Sequence, residues 1–172
     1  MSSQPASRLA DPATVGAAPL HIVLVEPQIP PNTGNVARLC AATGCALHLV
    51  EPLGFTIDDR ALKRAGLDYW DALHVVLHAS LDDFLEQHPP ARVWLLSTRA
   101  KRSYRGAPFA HGDALIFGKE TAGLPAATLD RYADRSLRIP MRSGAVRSIN
   151  LATSVGIVAY EALATLGFPA MA

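Results

Sequence analysis

Three stretches carry side chains that could do chemistry together: Ser97-Thr98-Arg99-Ala100, the run GKETAGLP at 118–125, and PMRSGAVRSIN at 140–150. Each follows a short apolar run, and open parallel sheets bind ligands at the carboxyl ends of their strands. Gly118 and Gly123 remove side chains where a backbone must approach a ligand closely, and Glu120 sets a carboxylate beside them. Ser143, Gly144, Arg147 and Ser148 precede a helix start, where backbone N–H groups can hold a polar ligand. Plain capping of that helix by Ser148 or Asn150 is the competing use, and the two are compatible.

Several chemistries lose their main support. No GxGxxG follows the first strand, and neither GxxxxGK[ST] nor GxSxG occurs, which disfavours nicotinamide cofactors, P-loop phosphate transfer and an α/β-hydrolase. His21, His48, His74, His78, His88 and His111 are scattered without HExxH spacing, so no metal is expected. Cys40 and Cys45 lack CxxC spacing and read as reduced thiols of a cytoplasmic protein. A net charge of +1 excludes a globally basic RNA-coating protein but allows local patches. Two such patches are Arg99, Lys101, Arg102 and Arg105 around Tyr104, and Arg60, Lys63 and Arg64. Each could contact phosphates, or could be an ordinary solvated face. No apolar run approaches the ~18 residues of a membrane span, and no export signal is read.

These stretches need elements to position them. Residues 1–19, rich in Ala, Ser and Pro, read as a disordered leader, and 20–172 as one domain. Short apolar runs predict six strands, at His21–Glu26, Ala46–Val50, His74–His78, Val93–Ser97, Ala114–Phe117 and Ser136–Ile139. Helices are expected from an Asn32 or Thr33 cap to Gly44, in a charged turn over Asp58–Ala65, from a Ser80/Asp83 capping box to about His88, over Ala126–Tyr132, and over Leu151–Leu166. In the first helix Val36, Leu39, Cys40 and Thr43 make the buried stripe, and Asn35 and Arg38 share another face. The alternation predicts an α/β fold with a parallel sheet. The last helix is apolar nearly all round, with Glu161 its only charge, so it needs cover on two sides. The second cover is most cheaply another copy of the chain.

NTGNVARLC at 32–40, FGKETAGLP at 117–125, and IPM…RSINLATSVGIVAYE at 139–161 resemble the three signature blocks of the SPOUT, or trefoil-knot, RNA methyltransferases. IPPNTGN, EPLGF and RAGLDYWDA are similar in particular to the small bacterial 2′-O-methyltransferases that modify the wobble nucleotide, position 34, of leucine tRNAs. The resemblance spans about His21 to Pro169. It departs in a loop over Arg142–Val146 that is one residue longer than is common in the subgroup, and in Ala152, where many relatives have Ser.

The resemblance implies a deep C-terminal trefoil knot, a homodimer packed through its first and last helices, and S-adenosyl-L-methionine held by the three loops. By matching position, Leu96, Gly118, Ile139 and Ser148 would contact the cofactor, with Thr98, Glu120 and Leu151 nearby. Arg38 would be the catalytic group, acting on the ribose 2′-hydroxyl. A guanidinium is too weak an acid to give up its proton near pH 7 and so cannot serve as an ordinary base, and Arg38 is read as orienting the hydroxyl and stabilising developing alkoxide charge. Asn35, Arg99, Lys101, Arg102, Asn150 and Tyr160 are candidate tRNA contacts. The alternatives are a related enzyme acting on rRNA or another tRNA position, and a non-catalytic RNA- or nucleotide-binding module. Retention of Arg38 and all three loops speaks against the last.

Overall fold

The computed structural model describes residues 15–57, 73–89 and 92–172. Its centre is β1, Leu20–Val25, in which every residue is buried. That continuous burial follows from parallel pairing on both edges, with β2 (Ala46–Val50) on one side and β6 (Asp113–Phe117) on the other. With β3 (Val75–His78), β4 (Val93–Leu96), β5 (Arg102–Ser103) and β7 (Ser136–Arg138) the sheet has seven parallel strands in the order β3-β2-β1-β6-β4-β7-β5. Side chains alternate across it. Leu20, Ile22 and Leu24 enter the core under helices α1 (Pro30–Thr43) and α4 (Leu151–Thr165). Val23 and Val25 face the other side, towards Phe84 and Leu85 of α2 (Leu81–Glu86) and Leu129 of α3 (Ala126–Arg131).

The α/β reading with a parallel sheet is therefore right, but two details differ. The sheet has a seventh strand, because two residues of the basic stretch after β4 pair with β7, Arg102 beside Leu137 and Ser103 beside Arg138. A two-residue strand has no periodicity to detect. The start of α1 also differs. The expected Asn32 or Thr33 cap is absent, and the helix begins three or four residues earlier, at Pro30 and Pro31, with Ile29 in the cap position and no side-chain cap of its own. Proline is tolerated there because its missing N–H would have had no helical partner.

Other expectations hold. Gly44 ends α1 at φ 72°. Ser80 Oγ accepts from Asp83 N at 3.0 Å at the start of α2. The α1 stripe of Val36, Cys40 and Thr43 is buried, and α1 packs on α4, with Leu39 beside Gly156. Val15 and Ala18 are buried with Ala46, so the packed chain begins before Leu20. The rest of the expected leader, the turn at Asp58–Ala65 with Arg60, Lys63 and Arg64, and the RAGLDYWDA stretch lie outside the described residues.

Candidate cofactor cleft

The loops after β4, β6 and β7 meet the starts of α1 and α4 around a cleft of about 800 Å³. That is within the ~300–1,000 Å³ usual for small-molecule sites. Leu96, Thr98, Gly118, Glu120, Ile139, Ser148 and Leu151 all line it, as do Arg99 and Asn150. Leu96, Ile139 and Leu151 supply apolar wall, while Ser97, Thr98 and Ser148 supply hydroxyls. A flat heteroaromatic ring with polar substituents suits such a mixture.

The loop after β6 is folded on itself. Gly123 N donates to Lys119 O at 2.9 Å, and Gly123 sits at φ 69°. A Cβ on Gly118 would overlap the backbone of Gly123 and Leu124. Gly118 is thus required by the closure of its own loop, before any ligand is considered.

Glu120 points across the cleft edge to the start of α1. One carboxylate oxygen accepts from Gln28 N at 2.9 Å, and the other from Ile29 N at 3.1 Å and Asn32 Nδ2 at 3.2 Å. Partial burial pushes the carboxyl's pKa up, but these donors outweigh it and hold Glu120 below the usual glutamate value. Thr121 Oγ1 donates to Gln28 Oε1 at 2.9 Å, and Lys119 Nζ pairs with Glu26 at 2.8 Å. The buried Asn32 continues the line. Its Oδ1 accepts from Asn150 Nδ2 at 2.9 Å, and Asn150 Oδ1 accepts from Thr153 N at 3.2 Å, capping α4. Glu120, Asn32 and Asn150 thereby lock together one residue from each signature block. Sequence reasoning had Asn32 in view only as a local cap. Its real partners lie 88 and 118 residues away.

The remaining expected residues divide. Asn35 and Arg38 are exposed together on α1. Neither lines the cleft. Arg38 is six residues beyond Asn32, roughly 9 Å along the helix axis. Asn150, expected to touch RNA, has both ends of its amide engaged as above. Arg99 lies at the cleft wall and Lys101 is exposed close by in sequence. Arg102 instead lies over the Trp94 ring, 5.6 Å from its centroid, and Arg105 Nε pairs with Glu161 at 3.0 Å. Tyr160 is 45% exposed on α4, its ring near Phe168. Arg142 and Arg147, in the exposed loop before α4, add basic groups that sequence reasoning had not placed with an RNA surface, and Arg147 lines the cleft. Among the described residues no group of three or more His, Cys, Asp or Glu side chains is arranged to hold a metal, and no helix is long and apolar enough to cross a membrane.

Residues 19–160 match the SpoU rRNA Methylase family. The tRNA (cytidine(34)-2′-O)-methyltransferase of Saccharophagus degradans is 50% identical over 149 residues, 86% of this chain and 96% of its own length. The Escherichia coli enzyme of the same name is 48% identical over 151 residues, 87% of this chain and 96% of its own. A solved structure concerned with 2-OH methylation of C/U34 on tRNA superposes with a TM-score of 0.80 at 50% identity, covering 86% of this chain and 96% of that one. An AdoMet-bound rRNA methyltransferase from Sinorhizobium meliloti superposes at 0.75 with 27% identity, covering 89% of this chain and 60% of that one. With the family matched over most of the chain and its three signature blocks meeting at one cleft, the protein belongs to the SpoU RNA methylase family.

Proposed function

We propose that this protein transfers a methyl group from S-adenosyl-L-methionine to the ribose 2′-hydroxyl of nucleotide 34, a cytidine or modified uridine, in leucine tRNAs. The observation that carries this reading is the convergence of the three signature blocks on one cleft through Glu120, Asn32 and Asn150. The relatives named for the same reaction support it at nearly full length. The leucine specificity rests on the resemblance of IPPNTGN, EPLGF and RAGLDYWDA to that subgroup.

Leu96, Thr98, Gly118, Ile139, Ser148 and Leu151 would hold the cofactor, whose sulfonium supplies an activated methyl group. Transfer is then mainly a matter of orientation and of handling the hydroxyl proton. Arg38 orients the 2′-hydroxyl and offsets alkoxide charge as it develops. Glu120, already committed to three donors in and just before the first turn of α1, acts by fixing that helix against the cofactor loop. The RNA crosses the basic rim formed by Arg99, Lys101, Arg142 and Arg147.

The same reading includes a homodimer, the C-terminal knot and a cytoplasmic location. Ile29, Tyr160 and Phe168 are exposed large apolar side chains, and Ile157 is only half-buried on α4. A second copy would cover them. It would also offer a substrate path for Arg38, which stands outside the cleft of its own chain.

The test is single-turnover methylation of leucine tRNA transcripts with labelled S-adenosylmethionine, followed by mapping of the modified ribose. Label at nucleotide 34 is expected. Label in ribosomal RNA, or at another tRNA position, would replace the substrate while leaving the cofactor reading in place.

A further inference from the structure

Three histidines that the proposed reaction does not use form a line through the sheet. The strand register sets His48 level with Val23, two residues beyond His21, and His78 level with Val50, two beyond His48. All three therefore share the face covered by α2. His21 Nδ1 lies 2.9 Å from His48 Nε2, and His48 Nδ1 lies 2.9 Å from His78 Nε2. The residues are 6%, 2% and 4% exposed. Phe84 packs edge-on against His48 and His78 and stacks on His88 at 4.1 Å, while His88 Nδ1 donates to Phe84 O.

Both nitrogens of His48 are taken by other imidazoles. Neutral, it must donate at one and accept at the other, so the chain has a single hydrogen-bond direction. Among the described residues no carboxylate hydrogen-bonds any of the three rings. The charged and titratable groups around them are mostly of the wrong sign for a proton. His88, His111 and Arg92 act against charge on His21, and His21, His78 and His88 against charge on His48. Among the described residues only Asp83, on α2, favours charge, and it acts on His78. Burial is the larger cause throughout, and it lowers His21 to about 4 and His48 further.

The strands that carry the chain are tied by backbone bonds to the segment that leads from β1 to the cleft. Glu51 N donates to His78 O and Glu26 N to Val50 O, each at 2.9 Å. Gly54 N donates to Pro27 O at 2.9 Å. These bonds hold the segment whose Gln28 N–H meets Glu120.

We propose that the His21–His48–His78 chain is an acid-sensitive latch: uncharged, it ties β1, β2 and β3 into one edge of the sheet, and protonated, it releases that edge and the cleft wall beyond β1. Folding keeps the rings neutral, whereas in the unfolded chain they titrate near 6.5. The stabilisation is therefore present above about pH 6.5 and is lost as pH falls from there towards the lowered folded values. Each ring that is neutral when folded and charged when unfolded raises the unfolding constant about tenfold per pH unit.

The experiment is urea unfolding of the full chain between pH 8 and pH 5, with hydrogen exchange read strand by strand. Uptake of about two protons on unfolding is expected near pH 5.5, a rise of about 100-fold in the unfolding constant per pH unit. The amides of β1, β2 and β3 should lose protection before those of β4 and β6. His48→Phe should lower the uptake by about one proton. If that variant does not fold, His21→Gln, at the other end of the chain, carries the same expectation. Uptake below one proton in the wild type, wild-type uptake in the variants, or simultaneous loss of protection across the sheet would overturn the latch.

Discussion

Helices α1 and α4 both begin at the cleft, and their first turns are held in opposite ways. The cap of α4 is local: Asn150 Oδ1 accepts from Thr153 N, three residues on. The start of α1 has no local cap, and the N–H groups leading into it are taken by Glu120, 92 and 91 residues later in the chain. A local cap can form as soon as its helix does. A remote cap forms only when the loop after β6 is in place, so the position of α1, and of Arg38 on it, depends on the folded cofactor loop. Asn32 joins the two arrangements, since it gives a hydrogen bond to Glu120 and receives one from Asn150.

The largest effect should come from the group that the remote cap positions. Arg38→Ala is expected to reduce single-turnover methyl transfer by at least ~100-fold, the lower scale for a lost proton-transfer or charge-stabilising group. Cofactor affinity, measured by calorimetry, should stay near wild type, because Arg38 lies outside the cleft. Wild-type transfer by this variant would remove Arg38 from the mechanism without disturbing the family assignment.

Next is the cap itself. Glu120→Ala leaves the N–H groups of Gln28 and Ile29 and the amide of Asn32 without their acceptor. Hydrogen bonds to a charged partner are worth about 1.5–3 kcal/mol, so a loss on that scale is expected in urea unfolding. Methyl transfer should fall even with saturating cofactor, because α1 is no longer fixed. The pH dependence has a definite sign. The folded carboxyl titrates below its ordinary value of 4.5, so its stabilisation is present above that pH and is lost as pH falls further. An unfolding profile of Glu120→Ala parallel to wild type below pH 4.5 would show that the carboxylate does not cap α1.

The same contrast separates what was legible in the sequence from what was not. Local signals read correctly: Gly44 after α1, Ser80 before α2, and the buried runs that became β1, β2, β4 and β6. All seven expected cofactor-loop residues line one cleft. The misreadings were long-range. Asn32 looked like a cap because Asn before an apolar stripe usually is one, and nothing nearby reveals a partner 88 residues on. Gly118 suggested close approach of a ligand, and it does line the cleft, but the fold of its own loop is a second, long-range reason for the missing side chain. The basic stretch at 99–105 read as one patch, yet pairing of β5 with β7 turns Arg102 onto Trp94 and Arg105 onto Glu161.

That division of the basic stretch predicts a smaller effect. Ser97 closes a local turn, its Oγ accepting from Arg99 N at 3.1 Å, and the turn presents Arg99 and Lys101. Neutralising both should weaken tRNA binding and lower the slope of log affinity against log salt by about one per lost phosphate contact. Neutralising Arg102 and Arg105 should change the slope less, because their guanidinium groups are engaged within the protein. Filter binding at two salt concentrations gives both slopes. Equal changes in the two double variants would mean that the intramolecular partners yield to RNA.

The smallest effect is expected at a local cap far from the chemistry. Ser80 Oγ accepts from Asp83 N at the start of α2, which covers the opposite face of the sheet from α1 and α4. Ser80→Ala removes one exposed capping bond and should cost about 1 kcal/mol. It breaks no contact with the cleft, so methyl transfer per folded molecule and cofactor affinity should both match wild type. Glu120→Ala and Ser80→Ala would then both lower stability, while only the first lowers transfer. A drop in transfer by Ser80→Ala, measured where both proteins are fully folded, would mean that α2 also sets the geometry of the cleft. The distinction between local and remote caps would then no longer explain how Arg38 is positioned.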